Sequence, residues 1–150
     1  MTQKPLLMER HVPPSLNDMQ ELAEYIISEL PIGLKKYVGK LQVEVEDFPD
    51  AHIEEELELE SPFDILGIYQ SAGPINKNSI SGKTRKDMII LYRRPILDSW
   101  AESEYDLSNL VNQVILGEIG HHFGMTDAEM DIFEDEMIKE DDLIICGEAE

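Results

Sequence analysis

Apolar residues recur at helical spacing near the start of the chain, at Leu16, Met19, Leu22, Ala23, Ile26, Ile27 and Leu30. That period lines them along one stripe of a helix running to about Leu30. Ser15 stands where an N-cap belongs, Asp18 follows in the first turn, and Pro31 stops the run. Gly33 to Val38 read as a further helical turn. Leu41-Gln42-Val43-Glu44-Val45 then alternates as a strand with one buried face does. From Glu46 to Glu60 the chain is acidic, and the spacing of Ile53 and Leu57 predicts a short, solvated helix capped by Asp50. Ile65-Leu66-Gly67-Ile68-Tyr69 reads as a strand. Gln70 to Asp87, rich in Gly, Ser, Asn and Lys, suits a hairpin connection. Met88 to Tyr92 is continuously apolar and so predicts a central strand, which Arg93-Arg94-Pro95 ends. The stretch from Pro95 to Trp100 begins the approach to a second long helix, from about Ser108 to Phe123. Asp106 or Ser108 would cap it, and Leu110, Val111, Val114 and Ile115 form its buried stripe. Asp127 to Lys139 is amphipathic, with Met130, Phe133, Met137 and Ile138 on or near one side. There are no internal repeats.

At 150 residues, 42% of them hydrophobic, the chain suits one globular domain with a sizeable core. The expected division is a flexible N-terminal segment over 1–14, a folded domain over 15–138 and an acidic tail over 139–150. The tail carries the short apolar patch Leu143-Ile144-Ile145, which would cover a core edge or meet a partner. No run approaches membrane-spanning length, and the first ten residues lack an apolar secretory core. The single cysteine, Cys146, leaves no internal disulfide and agrees with a reducing, cytoplasmic location. A net charge of -20 argues against binding nucleic acid through its phosphates. It favours cations and basic partners, although a highly soluble surface is the plainer explanation.

The chemistry gathers at the end of the second long helix, in Leu116-Gly117-Glu118-Ile119-Gly120-His121-His122-Phe123-Gly124-Met125-Thr126-Asp127. Glu118 and His122 lie four apart, as do Gly117 and His121, so each pair shares a helix face one turn apart. Gly124 is suited to end the helix in a left-handed turn, because it has no Cβ to clash. Such a turn would double the chain back and bring Asp127 beside His121.

The order G-E-I-G-H-H-F-G-M-T-D resembles H-E-x-x-H-x-x-G-x-x-D, the signature of the minimal zincin-like metallopeptidase family. Leu66-Gly67-Ile68-Tyr69 and Ile90-Leu91-Tyr92-Arg93-Arg94-Pro95 are similar to further landmarks of that family, in the same order, so the resemblance covers about Ser15 to Glu136. It implies an α+β fold, with a small mixed sheet packed on the motif helix and N- and C-terminal helices around them. It also implies zinc as cofactor, Glu118 as general base, His121 and Asp127 as metal ligands, and a peptide or protein substrate. In the intact signature two imidazoles and a carboxylate hold zinc, and the open fourth position carries a water that the Glu deprotonates.

This chain departs from the signature at its head. Gly117 stands where the first His belongs and has no side chain to donate. The expectation is therefore a zinc metallopeptidase-like protein whose zinc binding is weak or absent and whose peptidase activity is lost. A replacement ligand among Glu118, His122, His52 and His11 would rescue a hydrolase. Two non-hydrolytic roles also fit the chain: a peptide-binding pseudoenzyme, and an acidic protein-interaction domain that makes no use of the cleft. His122 is expected to be a packed or supporting histidine, since it points about 100° away from His121 around the helix. Without a metal, His121 would hydrogen-bond to Asp127 or Glu118. Tyr69 and Tyr92 are expected in the core, and Arg94 beside surface acids.

Overall fold

A computed structural model of the chain describes residues 12–71, 87–133 and 135. Helix α1 spans Leu16–Ser28. The Asp18 backbone N–H donates to Ser15 Oγ at 3.0 Å, and the Ser15 N–H donates back to Asp18 Oδ2 at 2.9 Å. This reciprocal pair satisfies two donors that a helix start would otherwise leave unmade. The helix stops two residues short of Leu30, whose side chain still continues the stripe into the core. Ile32–Val38 form a full helix, α2, rather than one turn. Strand β1 spans Gln42–Glu46, with Val43 and Val45 buried and the polar residues between them turned outwards. Helix α3, Ala51–Glu56, buries no residue, and Asp50 Oδ1 accepts from the Ile53 N–H at 2.8 Å as its cap.

The hairpin strands are β2, Gly67–Gln70, and β3, Met88–Tyr92. Thus β2 begins two residues later than the apolar run suggests and runs on to Gln70. The sheet order is β1-β3-β2, with β1 parallel and β2 antiparallel to the central β3. Val43 and Val45 pair with Ile89 and Leu91, and Gly67 and Tyr69 pair with Leu91 and Ile89. Alternation puts these six residues on one face, and α1 and α5 pack there. The outer edge of β1 is covered by a side chain. The Gln20 amide donates to the Val43 carbonyl at 2.8 Å and accepts from the Val45 N–H at 2.9 Å, as a further strand would.

After β3 the chain turns directly into helix α4, Arg93–Glu102, where the sequence suggests only a strand end and an approach. Pro95 is the third residue of that helix, and a first-turn residue loses no intrahelical bond by lacking an N–H. Pro95 therefore ends the strand without preventing a helix. Arg93 fastens this junction. Its Nε donates to the Pro14 carbonyl at 2.6 Å and its Nη1 to Asp47 Oδ1 at 3.1 Å. Helix α5, Leu107–Phe123, has Asp106 at its cap position and buries Leu110, Val111, Ile115, Leu116 and Ile119. Residues 127–133 form helix α6. Met130 lies against Gly120 of α5 and Phe133 against Gly33 of α2, as the amphipathic pattern predicts. Met137, Ile138 and the tail lie outside the described residues.

Candidate functional site

Helix α5 ends as its sequence requires. Gly124 is left-handed, with φ 63° and ψ 34°. The Gly124 N–H donates to the His121 carbonyl at 3.3 Å, and the Met125 N–H reaches back to the Gly120 carbonyl at 2.9 Å. These two bonds close the last turn and fold the chain back across it. Two residues on, Thr126 caps α6 by accepting from the Glu129 N–H through Oγ1 at 3.2 Å. Asp127 is thus the first residue of α6, where a carboxylate is favoured by the helix dipole.

Glu118 is half-buried on α5. Burial pushes its carboxyl above the ordinary carboxylate range, and the nearby His121 partly opposes that. His121 and Asp127 are both exposed. Among the described residues, no hydrogen bond or ion pair joins His121 to either Asp127 or Glu118, contrary to the contact expected without a metal. The physical reason is exposure: water can serve the imidazole, and the α6 start already favours the Asp127 carboxylate.

His122 is exposed, yet its ring makes contacts of the packed kind expected. Its ring stacks on Tyr69 of β2 with centroids 3.9 Å apart and planes 11° from parallel. Phe123 meets both rings edge-on, at 4.8 Å and 6.0 Å, and Tyr37 of α2 extends the row at 5.8 Å. Tyr69 does more than fill the core, because its hydroxyl donates to Asp87 Oδ2 at 2.6 Å. Burial, and then the bond to Asp87, push its phenol well above the usual tyrosine value. Tyr69 shares its face of β2 with Gly67, where α5 approaches the sheet closely. Tyr92 is buried as expected, and burial, followed by Glu46 and Asp50, raises its phenol to about 12. Arg94 lies 4.0 Å from Asp47, an acidic surface partner of the kind anticipated. His52 is exposed on α3, 3.7 Å from Glu56, and His11 lies outside the described residues.

A Cβ added at Gly117 would meet nothing within 4 Å. The space where the signature carries its first His is therefore open. Among the described residues, no three of His, Cys, Asp and Glu stand together in a set that could hold a metal. A zinc of the signature type takes three protein donors, and at the first of those positions this chain has Gly117. The described residues do not assemble the three donors that such a zinc takes.

A family model for zincin-like metallopeptidases matches residues 38–137. Among solved structures, a conserved hypothetical protein of Thermus thermophilus is similar to this chain at 23% identity and a TM-score of 0.46. The match covers 73% of this chain and 94% of that one. No curated protein matches the chain.

Proposed function

The chain belongs to the zincin-like metallopeptidase family, and from that premise we propose that it is a metal-deficient member that binds peptide without hydrolysing it. The observation that carries this reading is Gly117, which supplies no donor one turn before His121 on the motif helix. Glu118 remains half-buried there, and its raised proton affinity suits a group that holds a proton beside a bound ligand. His122 stacks on Tyr69 and lies about 100° around the helix from His121, which counts against His122 as a replacement ligand. His52 lies exposed on the separate helix α3, which counts against His52 as well. A cytoplasmic location belongs to the same reading, supported by the lone Cys146. Among the described residues no helix is long and apolar enough to cross a membrane.

Metal analysis tests the reading. After dialysis against a mild chelator the purified protein is expected to retain far less than one zinc per chain. Stoichiometric zinc after that dialysis would overturn it and point to a replacement ligand.

A further inference from the structure

The described chain begins at the edge of a cavity. A volume of about 650 Å³ lies between the start of α1, the end of α4 and the start of α5. That is within the range of roughly 300–1,000 Å³ found for ligand-binding pockets. Pro13, Leu22, Trp100 and Leu107 line its apolar side, and Asp18 and Glu21 line its acidic side. Leu22, Trp100 and Leu107 pack against the core yet are only half-buried, so each still has apolar surface to cover. Arg93 holds the Pro14 carbonyl at 2.6 Å, which fixes where the preceding chain leaves the fold. Val12, 76% exposed, also lines the cavity. Eleven residues precede it in the sequence and lie outside the described residues. They carry Leu6, Leu7 and Met8 in a row, with Lys4 and Arg10 on either side and Glu9 as the one acid.

We propose that this cavity is the seat of the chain's own residues 1–11, with Leu6, Leu7 and Met8 against Trp100 and its apolar neighbours and Lys4 and Arg10 towards Asp18 and Glu21. The match is twofold: apolar side chains meet an apolar wall, and cations meet acids in a chain whose net charge is -20. Reach is ample. Leu6 to Met8 stand four to six residues before Val12, and an extended chain spans up to about 3.6 Å per residue, so they have up to about 22 Å to turn back in. The tether also favours this segment over a free peptide. A segment held by so few residues meets its seat at an effective concentration on the order of millimolar, which a competing peptide would have to exceed. Seated there, residues 1–11 tie α1 to the connection from which the motif helix starts.

Trp100 is the chain's one tryptophan, so its emission and its quenching by acrylamide report on this cavity in the full-length protein. The double variant Leu6→Asp with Leu7→Asp is expected to move the emission to longer wavelength and to raise quenching, because water and acrylamide then reach the indole. Added peptide with the sequence of residues 1–11 should restore the shielding in that variant, and a scrambled peptide should not. Wild type should not respond to the peptide, its seat being filled. Glu21→Lys should also raise quenching, by setting a like charge against Lys4 and Arg10. Should the double Asp variant fail to fold, Lys4→Gln with Arg10→Gln is read in its place and should show a smaller rise in the same direction. Identical emission and quenching in wild type and the segment variants would overturn the proposal. So would a wild type that binds the peptide as the variant does, since the seat would then be open to a peptide from elsewhere. Shielding that is lost as wild type is diluted would overturn it too, by giving the seat to the segment of a second copy.

Discussion

A methyl group added at Gly67 would lie 3.0 Å from the Ile90 carbonyl oxygen, 3.1 Å from Leu91 Cδ2 and 3.3 Å from Val114 Cγ1. The Ile90 carbonyl is fixed by its ladder and cannot easily yield, so β2 would have to shift against β3, and Val114 of α5 would have to give as well. Gly67→Ala is therefore expected to destabilise the fold by about 1–3 kcal/mol, read from urea denaturation. A change under about 0.5 kcal/mol would show that the approach of α5 to β2 is looser than described. At this scale the turn at Gly124 is legible in the sequence, because few other residues end a helix left-handed. The Tyr69–His122 stack is not. It joins residues 53 positions apart, and only the β2 register decides which face Tyr69 takes.

Element by element, boundaries follow local chemistry where a cap or an alternation is written into the chain. Ser15 and Asp50 cap the helices predicted for them, and Val43 and Val45 face the core. Helix α4 is hidden from such a reading because Pro95 looks like a stop, whereas its position in the first turn makes it harmless. Arg93, rather than Arg94, holds that junction. The Arg93 side chain is 12% exposed and bonded to Pro14 and Asp47, whereas that of Arg94 is 58% exposed. Arg93→Met keeps the aliphatic stem but leaves both acceptors without that donor, and should cost about 1–3 kcal/mol. Arg94→Ala should fall within about 0.5 kcal/mol of wild type. Equal losses from the two variants in chemical denaturation would contradict the assignment of Arg93 as the anchor.

Across the whole molecule the dominant physical fact is the charge of -20. Self-repulsion at that charge opposes compaction, and salt screens it over a Debye length of about 10 Å at 0.1 M. Tm is therefore expected to rise as NaCl is added from low ionic strength, and a fall would show that attractive pairs outweigh the repulsion. Glu46 is a local instance. Burial, then Glu44 and Asp50, raise its carboxyl above the ordinary range, so the folded chain holds that proton more tightly than the unfolded one. Its ionisation thus costs stability as pH rises from the ordinary glutamate value through the raised one. Glu46→Gln should be the more stable protein at neutral pH, with the difference vanishing below the ordinary value.

The central claim is that this chain carries a zincin site lacking one donor, and the direct test is to supply it. In Gly117→His the new imidazole would rise from a position where a Cβ meets nothing within 4 Å, one turn before His121. Calorimetry at neutral pH should show that this variant gains zinc affinity over wild type, and added zinc should raise its Tm by mass action. Glu118→Gln in the same background should keep the metal and abolish any hydrolysis that appears. No gain in zinc binding by Gly117→His would contradict the account, and the motif helix would then be a structural element of an acidic interaction domain.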